Sequence, residues 1–343
     1  MTRTPYTVSA GSLDGLPTLE INGPAVYASI AQRGATLLEW NVRVGDVWIP
    51  LVDGYRTGDE LRAQNGVRMG VMAPFVNRIA DARYTFGGVE HDLRPGDPDR
   101  LVYHGITREM DFSVASVRLG GSDATIAFSL AGTQLAAAPG YPFDVDVDVV
   151  YRFHKNGLDL SIQGTNSGEQ PAPFAAGWHP YFRLRQPMID ELEIDVPTDR
   201  FVRTDKRLIP VAEDRVKSVT EDTDLRGRLA IGDRALDICY VDLETDTEGI
   251  ARTSLIDRRN ELALTVWQKG GAMHVFTGHT LKRDPRASIA LEPVETITNA
   301  FNDPDLHGSL TLAPGASRSF SCGVTYLAAQ PAEDLTELAG VAS

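Results

Sequence analysis

The stretch FDVDVDVVYRFHKNGLDLSI, residues 143–162, decides the fold class. Phe143, Val145, Val147, Val149, Tyr151 and Phe153 alternate with Asp144, Asp146, Asp148 and Arg152, which is the period of a strand with one face toward water. Lys155-Asn156-Gly157 follows, and Leu158, Leu160 and Ile162 resume the period of two. Asn-Gly between two alternating runs is the strongest short-range signal for a hairpin, so two antiparallel strands are expected.

The same grammar extends in both directions. Tyr84 to Leu93 carries a Gly87-Gly88 turn, and Leu310 and Leu312 precede Pro314-Gly315 and an alternating run through Phe320, Cys322, Val324 and Tyr326. Further strands are expected over 25–30, 36–42, 125–130, 192–196, 261–267 and 287–291. No segment sustains a helical period beyond about three turns, although Ala332 to Leu338 has the pattern of a short terminal helix. Many antiparallel strands separated by Gly- and Pro-rich turns predict a mainly β protein, a large antiparallel β-sandwich with few short helices. No composition shift marks a linker, no fixed-period repeat is present, and Pro197 to Arg234 reads as long surface loops, so a single domain over residues 1–343 is expected.

Composition narrows the function. Lys plus Arg number 33 against 47 Asp plus Glu, a net charge of −14, and a surface this acidic repels nucleic acid and anionic lipid. The N-terminal residues lack a signal-peptide core and no apolar run is long enough to span a bilayer, so a cytoplasmic location without membrane contact is expected. Cys239 and Cys322 read as reduced core thiols, and the seven histidines form no HxH or HExxH spacing, so no metal site is expected.

Four clusters place ionisable groups beside Gly, Pro and aromatic residues. In Ala73 to Ile79, Asn77 and Arg78 combine several donors with a carbonyl acceptor, a set suited to vicinal hydroxyls, although an Arg beside a turn is also an ordinary surface feature. His104 ends a short apolar run and precedes Gly105, which would admit a ligand close to the backbone; a satisfied structural His is the simpler reading. His179 lies between Trp178 and Pro180 and before Tyr181-Phe182, so it suits either a sugar-binding pocket or a packed core. Glu292 follows Ile289 and Leu291 on a strand, leaving the apolar layer just before Pro293 stops the ladder, a plausible place for a general base; Glu295 is its rival.

Taken in order, these segments resemble the aldose 1-epimerase family, also called galactose mutarotases, over Arg68 to Tyr326. Met72 to Gly88 is similar to the family's Asn-Arg-Ile motif and its hairpin, Tyr103-His104-Gly105 to its His-Gly element, and Gly177 to Leu184 to its His-Pro-Tyr-Phe element. Leu236 to Tyr240 resembles its Leu-Asp segment, and Leu291 to Asn302 its Glu-Pro segment with the Ala-Phe-Asn ending. The resemblance implies a β-sandwich with an open sugar cleft, Glu292 as general base, His179 as general acid, and Arg78, His104, Asp237 and more weakly Asn77 as groups that hold a monosaccharide. It implies no cofactor. Ile106, where many members have a second Gly, and Val294-Glu295 depart from the family pattern and leave the preferred sugar open. A non-catalytic carbohydrate-binding protein and a hexose-phosphate 1-epimerase are the rival readings, the latter requiring a basic clamp, for which Arg203, Lys206 and Arg207 form the dense basic group in mid-chain. A glycoside hydrolase would need two carboxylates about the bond, whereas the partner implied for Glu292 is a histidine.

Overall fold

The computed structural model describes residues 5–97, 99 and 102–328. The central hairpin pairs Val145–His154 with Gly157–Asn166, Tyr151 opposite Leu160 and Phe153 opposite Leu158. Val145, Val147, Val149, Tyr151 and Phe153 are buried, and the intervening residues are partly or fully accessible, as period-two patterning requires. The turn differs from expectation. Lys155 and Asn156 form it, and Gly157 already belongs to the second strand, opposite His154. Glycine is required there because a Cβ would lie 1.9 Å from the Val324 carbonyl oxygen of the neighbouring strand. At Gly87-Gly88, by contrast, both φ angles are positive, and the two glycines do make the turn between Arg83–Phe86 and Val89–Asp92.

The hairpin lies in a nine-stranded antiparallel sheet, where it is flanked by Ser317–Ala328 on one side and Asp123–Leu130 on the other. A second, eight-stranded sheet runs from Val216–Ser218 through Arg200–Val202, Asp237–Val241, Ala272–Phe276, Ile289–Val294 and Gly177–His179 to Gly70–Met72, with Tyr181–Phe182 also paired to Ile289–Val294. The largest core cluster takes Val147, Ile162, Val266 and Val324 from the first sheet and Met273, Val275, Ile289 and Leu291 from the second. The result is a sandwich of antiparallel sheets, joined by a five-stranded meander from Thr7–Leu13 to Val47–Pro50. Among the described residues the α-helices are the short Gly58–Ala63, Gly132–Ala136 and His307–Leu310, and no helix is long and apolar enough to cross a membrane.

Three expectations need correction. Leu310 closes a helical turn, and Thr311–Leu312 pairs with Ala172–Pro173 rather than with the Phe320 strand. The region 197–234 holds short strands, Arg200–Val202, Val216–Ser218 and Leu229–Ala230, as well as loops. Pro293 does not stop its ladder: it sits opposite Met273, and pairing continues to Ala272 with Val294. The Leu291 amide donates to the Pro180 carbonyl and the Glu295 amide to Ala176, so Pro293, between them, turns its missing N–H toward the same neighbour, where the strand breaks at Pro180. The helix expected over 332–338 and Leu101 lie outside the described residues. Cys239 and Cys322 are free and buried.

Candidate active site

A cavity of about 420 Å³ opens over the eight-stranded sheet, a volume within the usual small-molecule range. Strands of that sheet supply Glu292, His179, Asp237 and His274, while two irregular segments bring Asn77, Arg78 and His104 to its wall. All six residues singled out from the sequence therefore line one space. His274 joins them, and sequence reasoning had passed it over.

Glu292 occupies the middle of Ile289–Val294, opposite His274 on the adjoining strand. His179 ends Gly177–His179, where its carbonyl accepts from the Met69 amide at 3.0 Å and Pro180 separates this strand from Tyr181–Phe182. His179 Nε2 lies 3.2 Å from Glu292 Oε1, with both side chains buried. The His104 ring packs edge-on against His179 with centroids 4.6 Å apart, and the Tyr181 ring stacks on it at 5.1 Å. These rings hold the imidazole in one plane.

The two irregular segments are knitted together by backbone bonds. Asn77 and His104 both have left-handed φ, at 48° and 59°, and the His104 amide donates to the Asn77 carbonyl at 2.7 Å. The Asn299 amide donates to the Arg78 carbonyl at 2.7 Å, which ties in the Ala-Phe-Asn segment after Glu292. Gly105 serves this packing rather than a ligand: its φ is 69°, and a Cβ there would lie 2.2 Å from the Ala73 carbonyl oxygen. Arg78 Nη1 donates to Asn77 Oδ1 at 2.9 Å, and Arg78 Nη2 stands 3.9 Å from Asp237 Oδ2.

Burial sets the charge states. Desolvation pushes the Glu292 carboxyl up to about 8, with Asp237 adding to the rise and His274 and Arg78 opposing it. Desolvation and the His274 charge pull His179 down to about 3. His104 is also held well below the ordinary histidine range, by burial first and then by His179 and Arg78. Burial alone would lower His274 as well, but Glu292 and Asp237 outweigh it and raise the imidazole well above its usual value. Burial would raise Asp237, yet its bond to His274 and the nearby Arg78 bring it below the usual carboxylate range. Burial therefore favours the uncharged form of each group in the 3.2 Å contact, Glu292 with its proton and His179 neutral.

Glu295, the rival carboxylate, is engaged elsewhere. It accepts from the Ala176 amide at 2.9 Å and pairs with Arg318 at 2.7 Å. Arg207, from the mid-chain basic group, pairs with Asp81 and Asp205 away from this cavity. Basic side chains do line the cavity. Arg68 and Arg283 both pair with the buried Asp53, and Lys282 is exposed beside them. His104, His179 and Glu292 present ligand atoms within 4.8 Å of one another, a trio with the donor types a transition metal takes, which sequence spacing could not reveal because the three come from distant segments.

Fold and cavity together define a galactose mutarotase-type sandwich with a buried carboxyl–imidazole pair in its cleft. A family model described as aldose 1-epimerase matches residues 17–325, and the chain belongs to that family. It is 24% identical over 234 residues to the uncharacterized protein YihR of Escherichia coli K12, covering 68% of this chain and 71% of that protein. Among solved structures, a galactose mutarotase-like protein from Clostridium acetobutylicum superposes with a TM-score of 0.80 at 15% identity, covering 95% of this chain and 99% of the other. A galactose 1-epimerase from Lactobacillus acidophilus gives 0.75 at 16%, with coverages of 95% and 99%. A GalM/aldose epimerase homologue from C. elegans gives 0.75 at 20%, with coverages of 89% and 96%. At these identities the structural matches speak for the fold.

Proposed function

We propose that the protein is a mutarotase that interconverts the α and β anomers of a free aldohexose by opening and reclosing the sugar ring, with Glu292 and His179 as the proton-transferring groups. The observation that carries this reading is the 3.2 Å contact between a buried carboxyl and a buried imidazole at the base of a sugar-sized cavity. Ring opening removes a proton from the C1 hydroxyl and delivers one to the ring oxygen. Both oxygens are bonded to C1, so acid and base must lie within a few ångströms of each other.

The charge states add detail. Ring opening starts from a carboxylate and an imidazolium, a tautomer with the same proton count as the unliganded pair, one transfer away across the 3.2 Å contact. Sugar hydroxyls replace part of the solvation that burial took from the carboxylate, which eases that transfer. Glu292 then takes the C1 hydroxyl proton, His179 protonates the ring oxygen, and the C1–O5 bond breaks to give the open-chain aldehyde. At that stage Glu292 is protonated and His179 neutral, the tautomer that the buried surroundings favour. Rotation about C1–C2 presents the other carbonyl face. Reclosure returns the Glu292 proton to O1 and the O5 proton to His179.

Arg78, His104, Asp237 and Asn77 are assigned to binding and orienting the hydroxyls, where donors and acceptors converge from several segments. A phosphorylated aldose is the second reading, favoured by Lys282 and Arg283 lining the cavity. Polarimetry on freshly dissolved α-D-glucose and α-D-galactose tests catalysis. Acceleration over the spontaneous rate is expected, whereas binding without acceleration would make the protein a carbohydrate binder. The reading places the protein in the cytoplasm, as a single domain that takes no cofactor.

A further inference from the structure

His274 is the polar exception on a strand built for packing. Along Ala272–Phe276 its neighbours Met273 and Val275 are fully buried in the core between the sheets, and the His274 ring, 7% exposed, faces the cavity instead. It stands opposite Glu292 on one adjoining strand and opposite Cys239 on the other. An apolar side chain would fill this place more cheaply if packing were its only task.

Its two ring nitrogens face groups from separate parts of the chain. Nε2 lies 2.7 Å from Asp237 Oδ1, and Nδ1 lies 3.4 Å from Asn77 Nδ2. Asn77 in turn accepts from Arg78 at 2.9 Å, and Arg78 Nη2 stops 3.9 Å short of Asp237 Oδ2. Asp237 is thus held on one oxygen by His274, while the step from its other oxygen to Arg78 stays open. That step matters chemically: Arg78 and Asp237 are opposite charges that would close on each other if Asp237 were free to swing, and a closed pair has fewer donors and acceptors left for hydroxyl groups.

We propose that His274 is a positioning residue for sugar binding, holding Asp237 through Nε2 so that Asp237 and Arg78 stay apart and both face the ligand. The inference rests on the mutarotase reading for its substrate class, but the geometry it predicts does not depend on turnover. The Nε2 bond to Asp237 is the shorter of the two and is made by the imidazole whether neutral or charged, so it is the one the proposal relies on.

Three variants separate this role from packing. In His274→Gln the amide nitrogen reaches close to the position of Nε2 and keeps the Asp237 bond; in His274→Asn the amide reaches only the region of Nδ1; His274→Ala keeps neither. Anomer-exchange kinetics should give a KM within about 3-fold of wild type for Gln and raised roughly 10-fold or more for Asn and Ala, with kcat changed less than KM, as expected for lost uniform binding. Binding of 1,5-anhydro-D-galactitol and 1,5-anhydro-D-glucitol, which cannot ring-open, should weaken in the same order. A crystal structure of the ligand-free Ala variant should show Arg78 and Asp237 closed to about 2.8 Å, the ordinary charge-assisted distance. Equal KM values for all three variants, or an Arg78–Asp237 separation unchanged in the Ala variant, would overturn the proposal. If wild type turned over no aldose while the Ala structure closed as described, the mutarotase reading would fall and the positioning role would stand.

Discussion

Replacing Glu292 by Gln should remove activity and, above neutral pH, make the protein more stable. The carboxyl is fully buried and ionises near 8, against 4.5 for an ordinary glutamate. A group whose folded pKa is raised binds more protons in the folded chain, so stability declines as pH rises from the unfolded value through the folded one. At 1.36 kcal/mol for each pKa unit, ionisation costs the fold about 3 kcal/mol by pH 7 and about 5 by pH 9, and nothing at pH 4. Glutamine cannot ionise, so the stability difference between Glu292→Gln and wild type should grow by these amounts between pH 4 and 9, whatever constant offset the amide introduces. Urea unfolding at pH 4, 7 and 9 measures that growth directly. Catalysed anomer exchange should fall about 10²- to 10⁴-fold in the same variant, the usual contribution of a positioned proton-transfer group. A pH-independent stability difference would refute the buried, proton-holding carboxyl, even if activity were lost.

The other expectations follow from the same geometry. His179→Asn should abolish exchange as fully as Glu292→Gln, while Glu295→Gln should leave kcat near wild type, because Glu295 bonds to Ala176 and Arg318 and not to the cavity groups. The rate profile should be level from pH 5 to 7 and fall above about 8, where the pair loses its shared proton, with the acid limb near 3, where it takes up a second; a level profile to pH 10 would count against the pair. Asp237→Asn and Arg78→Ala should act chiefly on KM, read by initial-rate polarimetry. Gly105→Ala should destabilise the fold by a few kcal/mol and lower the thermal midpoint, since its Cβ meets the Ala73 carbonyl oxygen and its φ is positive.

The sandwich was legible where a strand has one wet face. Val145–His154 alternates without exception in its accessible positions, because the aspartates at 146 and 148 face outward while Val145, Val147 and Val149 pack inward. Arg200–Val202, Val216–Ser218 and Leu229–Ala230 left no trace, because strands of two or three residues are held by pairing across long sequence distances and carry no period of their own. Within the cleft, Glu292 and His179 could be found through the order of motifs around them. His274 could not. Its strand is buried on both faces, so the alternation that separates core from cavity is absent, and a histidine between Met273 and Val275 looks like core. Only the register that sets it opposite Glu292 and Cys239 distinguishes the two. Gly157 and Gly105 teach a related point: both mark close backbone approaches, to Val324 and Ala73, that a turn or ligand reading of the sequence misplaces.

The central claim is tested most directly by two-dimensional exchange NMR of the anomeric protons over a panel of free and phosphorylated aldoses at equilibrium. Exchange between α and β signals of at least one aldose should be accelerated by catalytic amounts of the wild-type protein, and that acceleration should fall about 10²- to 10⁴-fold with Glu292→Gln. Exchange that no aldose in the panel shows above the spontaneous rate, or that survives the Glu292 substitution undiminished, would contradict the assignment.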